Sequence, residues 1–492
     1  MAAPYQLDDW RIIEEGFLPA RQPYAERIFS IGNGQLRLSG CFEEHYSGSS
    51  EPFTQINGVL ESVPSNTAIP GMHSQFNRLM EAPFWPGVGI WIDGEELDLA
   101  RTEVMTYTRT LFLKEGYLER EFKTRLDSGK ILAVNCKRFC SLNQPDAAVI
   151  AVSVKAVNFS GTLTFQPYLD ADPVWYKTSW VEVQQKVRRT KALLVAEIPG
   201  GAVQLCSGMK FTLHNGSKPV DAPSHRIQRE RYVACTADVP CKKGETITLT
   251  KYVCLLKGEP QEENLIKRTE NRLKELAGAG YEKLLADQAN AWHKFWADHD
   301  IILSGDPPVQ QGLRFGLFQW RQSFNPAATE PEFDLLQDGV SAWEMDAFGL
   351  PYLLFAGHHQ AALQWLRLRI GQTNQNHAAR NAAMGMDAKA LLLPWANCYG
   401  RDESPGWVKE LSGLFRNGIT AGALQQWCDY TGDRLIWQQG GLELLIGMSR
   451  MWAQRVHWSQ EKNAYVLHGT TGSDAYAGIV DNNWLNNFAA AR

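Results

Sequence analysis

Two short acidic segments carry residue types suited to carbohydrate chemistry. Trp343-Glu344-Met345-Asp346 heads an apolar run, Ala347-Phe348-Gly349-Leu350-Pro351-Tyr352. Acidic groups in the first turn of a helix complement its dipole, and that alone would account for them. The sharper reading is a sugar clamp, with Trp343 stacked on a ring and Glu344 accepting hydrogen bonds from its hydroxyls. Gly469-Thr470-Thr471-Gly472-Ser473-Asp474-Ala475-Tyr476 is a loop of mostly small residues leading to Asp481-Asn482-Asn483, a helix-capping sequence. Pro394-Trp395-Ala396-Asn397 is a second loop that presents a tryptophan. Gly32-Asn33-Gly34-Gln35 has neither the following helix nor the Lys-Ser/Thr pair of a phosphate loop, and reads as a turn between strands. His358 and His359 are adjacent, so on a helix they point about 100° apart and suit a surface pair better than a metal chelate.

These segments need a scaffold, and the chain supplies two kinds. Residues 1–260 are rich in period-two patterns. Ile150, Val152, Val154 and Ala156 alternate with less apolar neighbours, as do Leu163 with Phe165 and Ile247 with Leu249. Gly and Pro punctuation separates them, which predicts a large antiparallel sandwich. Residues 261–305 read as a helical linker, with Tyr281, Leu284, Leu285, Gln288, Trp292, Phe295 and Trp296 on one face. From 306 onward the pattern is helical. Leu435, Leu442, Leu445, Ile446, Ser449, Trp452 and Val456 share a predicted face, with Asp433 capping the start. Leu414, Ile419, Leu424, Trp427 and Tyr430 line another helix, expected to break near Gly418. The final residues, 481–492, open a capped helix.

Composition narrows the function classes. The 492 residues are 44% hydrophobic and 21% charged with a net charge of −5, an ordinary globular balance. No basic block marks a nucleic-acid or membrane-surface binder, and no apolar run approaches the roughly 18 residues of a membrane helix. The start has no basic segment or apolar core of a secretory signal. Nine scattered cysteines form no CxxC pair, which excludes a zinc ribbon and suits reduced thiols in the cytoplasm.

Taken together, the segments resemble glycoside hydrolase family 65, the inverting α-glucoside phosphorylases and hydrolases. The similarity runs through Glu26-Arg27-Ile28-Phe29-Ser30-Ile31-Gly32-Asn33-Gly34-Gln35, Phe42-Glu43-Glu44-His45-Tyr46-Ser47-Gly48, Ile56-Asn57-Gly58-Val59 and Gly94-Glu95-Glu96-Leu97-Asp98-Leu99. It continues in Gly339-Val340-Ser341-Ala342-Trp343-Glu344-Met345-Asp346-Ala347-Phe348, Pro394-Trp395, Thr431-Gly432-Asp433, Trp452-Ala453-Gln454-Arg455-Val456 and the loop from His468 to Asn483. The resemblance implies an N-terminal super-β-sandwich, a helical linker and an (α/α)6 catalytic barrel that is incomplete at residue 492. It implies a subsite for the non-reducing glucose of an α-linked disaccharide or oligosaccharide. Trp343 and Glu344 would touch that glucose, and Asp346, Trp395 and Asp474 are further candidate contacts. No metal or organic cofactor is implied; inorganic phosphate would be the co-substrate of a phosphorylase-like member. A homodimer or a complementing chain is the expected partner.

Two departures bear on activity. The family usually reads Trp-Asp-Thr-Glu where this chain has Trp343-Glu344-Met345-Asp346, so the carboxylate at 344 reaches about 1.5 Å further, in a site whose hydrogen bonds need distances near 2.8 Å. The family also reads Thr-Gly-Pro-Asp-Glu-Tyr, its Glu protonating the departing oxygen; the matching residue here is Ala475. Alanine has no proton to give, and general-acid help is worth roughly 10²–10⁴-fold. Asp474 is offset by one residue and shorter, a weak substitute. Inversion also needs a carboxylate roughly 6.5–9.5 Å from the acid, or bound phosphate. In the family either comes from later barrel helices, so no general base is expected within residues 1–492. Impaired turnover of α-glucosides is therefore expected; the alternatives are a non-catalytic carbohydrate-binding remnant and the front half of a split enzyme.

Overall fold

The computed structural model describes residues 5–64, 75–175, 180–198, 203–260, 262–324, 342–374, 378–394, 397–398, 401–402, 411–474 and 478–491. It divides into two units: Met1–Val59 with Leu79–Phe324, and Leu60–Arg78 with Asn325–Arg492. The first is rich in strands and the second is helical.

The early strands are β1 (Arg11–Glu15), β2 (Ile31–Gly32), β3 (Leu36–Leu38), β4 (Thr54–Pro64), β5 (Gln75–Glu81), β6 (Val88–Ile92) and β7 (Glu95–Glu96). Long hairpin strands follow: β8 (Glu103–Phe112), β9 (Tyr117–Arg125), β10 (Ile131–Cys140), β11 (Ala147–Ala156) and β12 (Gly161–Asp170). The last are β13 (Val181–Arg188), β14 (Lys191–Glu197), β15 (Gln204–Asn215), β16 (Lys218–Pro219), β17 (Ser224–Arg229), β18 (Tyr232–Cys241) and β19 (Thr246–Gly258). A ten-stranded sheet runs β1-β8-β9-β10-β11-β19-β15-β14-β13 with β16 beside β15, and a five-stranded sheet runs β17-β18-β12-β6-β7. The period-two segments pair with each other: Val154 lies opposite Ile247 and Val152 opposite Leu249, while Leu163 faces Val239 on one side and Ile92 on the other. The Gly32–Gln35 turn joins β2 to β3, with Asn33 Oδ1 accepting from the Gln35 and Leu36 amides.

Strands β12 and β18 lie against β14, β15 and β19, so the two sheets face each other. Lys251 of β19 crosses between them. Its Nζ lies within hydrogen-bond distance of three carbonyls, Trp85 at 2.6 Å, Gly87 at 2.9 Å and Tyr168 at 2.7 Å. The side chain is fully buried and no carboxylate lies among its bonded partners, so burial pushes the amine well below the ordinary lysine value. A second buried charge cluster joins Arg120 to Glu43 and Glu44, and Arg138 to Glu43.

Helices α1 (Gln22–Ile28), α2 (Leu265–Ala279), α3 (Tyr281–His299) and α4 (Pro307–Arg321) belong to the same unit. Helix α2 packs on β15 and β19, and Leu273, Leu276 and Leu284 join Phe139, Val149 and Tyr252 in one core cluster. Central strands are thus covered on both faces, which explains why Ala147–Val152 are buried without alternation. Gln288, the polar residue on the apolar face of α3, clamps the sheet: it donates to the Gly116 carbonyl at 2.7 Å and accepts the Leu142 amide at 2.9 Å. Gly116 has φ +73°, and a Cβ there would fall 1.9 Å from the Trp292 ring.

The helical unit contains α5 (Ala342–Glu344), a π-helical turn (Met345–Gly349), α6 (Leu350–Phe355), α7 (His359–Gly371), α8 (Ala378–Ala383), α9 (Phe415–Thr431), α10 (Leu442–Arg455) and α11 (Trp484–Ala491). Two expectations are corrected here. Helix α9 runs unbroken through Gly418. The glycine serves close approach instead, since a Cβ would meet the Ala489 carbonyl oxygen at 2.4 Å and its Cβ at 2.6 Å. On α10 the buried face is Leu444, Gly447, Met448 and Met451, while Leu435, Leu442 and Ile446 are exposed. The apolar residues of that segment cover more than one face, and periodicity could not tell which packs inward. Asp433 does cap the segment start, accepting the Leu435 amide at 2.8 Å. Among the described residues no helix is long and apolar enough to cross a membrane.

Candidate functional site

The helical unit positions the first acidic segment by an irregular helix. Pro351 has no N–H to return to Ala347, and its ring would crowd that carbonyl in a regular helix. The chain widens into the π-turn at Met345–Gly349, where the Leu350 amide reaches back five residues to Met345. Trp343 stands just ahead of this turn. Its ring lies edge-on to Phe415 at 5.3 Å and to Phe348 at 6.1 Å. The indole Nε1 is buried and makes no hydrogen bond among the described residues. Glu344, next in the chain, is exposed.

Asp346 does not share that surface. It is buried, and both carboxylate oxygens are taken by protein donors. Trp365 Nε1 reaches Oδ1 at 2.7 Å; Arg369 Nε and Nη2 reach Oδ2 at 3.1 and 2.8 Å; the Thr420 hydroxyl donates to Oδ2 at 2.5 Å. Arg369 completes the lock by donating to Gln372 Oε1 at 3.0 Å. The structure thus places Asp346, expected from the sequence as a sugar contact, in a fully buried position where its carboxylate joins α7 and α9 to the π-turn. Sequence reading missed Arg369 and Thr420. The available signal was an arginine in the apolar stripe Ala362, Trp365, Leu366, Arg369 and Ile370, where a buried charge needs a partner.

The second acidic segment is a closed loop. Thr470 and Val480 exchange backbone hydrogen bonds at 2.9 and 2.8 Å, and Asn482 and Leu467 close the base below them. Asp481 accepts the Gly469 amide at 3.1 Å and pairs with His468 Nδ1 at 2.9 Å. The His468 hydrogen bond, then the Gly469 amide, hold the Asp481 carboxyl below its usual range. Thr470 and Thr471 are buried, while Ser473 and Asp474 are exposed. Ala475 and Trp395, two of the positions singled out in the sequence, lie outside the described residues.

Asn486 connects this loop to Trp343. Its Oδ1 accepts the Phe415 amide at 2.7 Å and its Nδ2 donates to the Thr471 carbonyl at 2.8 Å. The path Trp343 ring, Phe415, Asn486, Thr471 brings the two segments into one neighbourhood. What gathers there is an aromatic ring with an unmet indole donor, an exposed carboxylate at Glu344 and a loop with exposed Asp474. Such a set can stack on and hydrogen-bond a sugar.

In the sheet-rich unit, the ligand atoms of Glu43, Glu44 and Cys136 lie within 4.8 Å of one another, spacing that could suit a metal. Arg120 already fills that role: its Nη2 reaches Glu43 at 2.6 Å, Glu44 and Cys136 Sγ at 3.8 Å. Burial raises the Glu43 carboxyl, but Arg138 and Arg120 outweigh it and hold it well below the usual range. The cluster is a neutralised core network.

Comparison with known proteins agrees with this architecture. Residues 12–295 match Glycosyl hydrolase family 65, N-terminal domain, and residues 336–492 match the Glycosyl hydrolase family 65 central catalytic domain. Maltose phosphorylase of Bacillus subtilis (strain 168) is 28% identical over 510 residues, covering 99% of this chain and 65% of the relative. The alpha,alpha-trehalose phosphorylase of Thermoanaerobacter brockii is 27% identical with the same coverage. A solved structure, a putative kojibiose phosphorylase from human microbiome, superposes with a TM-score of 0.83 at 21% identity, over 99% of this chain and 65% of that one. The chain thus spans about two thirds of the length of these relatives. With matches in order across both units, the chain belongs to glycosyl hydrolase family 65.

Proposed function

We propose that the helical unit holds the non-reducing glucosyl ring of an α-linked disaccharide or oligosaccharide, and that cleavage of the glycosidic bond is impaired in this chain. The observation that carries the reading is Trp343: a partly exposed ring held edge-on by Phe415, followed directly by the exposed Glu344. Glu344 would accept from a neighbouring hydroxyl. Trp395 and Asp474 would complete the contacts. This reading treats the helices as part of an (α/α)6 barrel that follows a sandwich domain in the chain, with residues 261–305 as linker.

Impairment rests on Ala475, which stands where the resembled motif has its proton donor. Without that donor the leaving sugar must depart as an alkoxide. Whether water or inorganic phosphate is the attacking partner, the loss falls on the same bond. Relatives named as maltose, trehalose and kojibiose phosphorylases make α-glucosides with phosphate the substrates to try first. No metal or organic cofactor enters the proposed chemistry, and the cytoplasm is its proposed location.

The test is a product assay on the full chain with maltose, trehalose and kojibiose, each with and without phosphate. Glucose and glucose 1-phosphate release at background rate is expected. Turnover at rates ordinary for enzymes, about 1 s⁻¹ or more, would contradict the impaired reading.

A further inference from the structure

We infer that Asp346, locked by Arg369 and Thr420, is a positioning residue that sets the orientation of Trp343 and Glu344; the inference rests on the glucosyl-binding role proposed for that pair. Three observations converge. The Arg369–Asp346 pair has both side chains fully buried, with 0% exposure each. A buried ion pair of this kind is weak evidence for stability, because desolvation offsets its attraction, and well-packed apolar residues often serve the core as well. Its best-supported use is to fix one arrangement among several. The pair also sits on an irregularity: Asp346 is the second residue of the π-turn, whose extra residue rotates everything N-terminal to it relative to α6. A regular helix would present residues 343 and 344 at a different angle. Finally, the clamp and the wall share one element. Thr420 of α9 donates to Asp346, and Phe415 of the same helix packs on Trp343. The carboxylate therefore fastens the π-turn to the helix against which the Trp343 ring is set.

A merely structural pair predicts that losing it lowers stability and that whatever remains folded binds normally. A positioning pair predicts the reverse: stability can be kept while the ring moves. The full chain is labelled with 5-fluorotryptophan, the Trp343 fluorine resonance being assigned by Trp343→Phe. Three variants are compared: Asp346→Leu with Arg369→Met together, Thr420→Val, and Thr420→Ser. Each is measured for thermal midpoint, for the Trp343 resonance without ligand, and for maltose and kojibiose affinity. The double variant is expected to lose some stability, because the buried Trp365 indole loses its acceptor, while Thr420→Val is expected to hold its midpoint within a few degrees; both are expected to shift or broaden the Trp343 resonance and to bind at least tenfold more weakly. Thr420→Ser keeps the hydroxyl and is expected to match the parent. An unmoved resonance and unchanged affinity in the folded variants overturn the inference. If the double variant does not fold, Thr420→Val against Thr420→Ser decides by the same readings. If the parent binds neither sugar, the glucosyl reading fails by itself, and the ligand-free resonance still decides whether Asp346 sets Trp343.

Discussion

Asn486 accepts the backbone N–H of Phe415 at 2.7 Å across 71 residues of sequence. That N–H is one of the first of α9 and has no partner within its own helix, so a residue on α11 satisfies it. The other end of the same side chain holds the Thr471 carbonyl. Asn486→Leu would leave both buried groups unmet. A loss of about 2–4 kcal/mol is expected, read as a lower urea midpoint with an unchanged slope. A loss under about 0.5 kcal/mol, the usual range for surface changes, would mean that the α11 contact is not formed in solution.

Gly418→Ala separates two opposed effects. In an exposed helix interior the change would stabilise by about 1 kcal/mol. Here the added Cβ meets the Ala489 backbone and methyl. Overpacking of that kind costs about 1–3 kcal/mol, so destabilisation is expected in chemical denaturation. A gain would show that α9 and α11 do not pack as closely as described.

Lys251 makes a pH prediction. Burial lowers its folded-state pKa well below the ordinary 10.5, so between those values the unfolded chain binds the proton and the folded chain does not. Stability contributed by this group therefore rises with pH across that window. Lys251→Met removes the titration. The stability of the parent minus that of the variant, from urea curves at pH 7, 8 and 9, should become more positive as pH rises. A difference that falls with pH would show that the three carbonyls keep the buried side chain protonated.

Glu344→Asp shortens the carboxylate by one methylene, to the residue usual in the resembled motif. If the longer side chain displaces a charge-assisted hydrogen bond, worth about 1.5–3 kcal/mol, restoring it should tighten glucose binding by about tenfold or more. Titration of both forms checks this; weaker binding by the aspartate form would show that the site is built around glutamate.

The sheet-rich part of the fold was legible because half-buried strands write a period of two. Ile247 and Leu249 appear in the sequence as they pair in β19. Residues buried on both faces, such as Ala147–Val152, hide that period. The helical part was less legible. Gly418 reads as a helix breaker until Ala489 is seen against it, and Leu435 with Leu442 looks as fit for a core as Leu444 with Met448. For the site, residue type pointed to Trp343 and Glu344, yet it could not separate Glu344 from Asp346. One is exposed and the other is enclosed by Arg369, Trp365 and Thr420, partners 19–74 residues away; the arginine in its apolar stripe signals that a partner is needed but not which one.

Titration calorimetry of the full chain with kojibiose and maltose, beside Trp343→Ala, bears most directly on the glucosyl site. A saturable heat that disappears in the alanine variant, with the sugar recovered uncleaved, is the expected result. The absence of any heat at millimolar sugar, or an equal heat in both proteins, would contradict it.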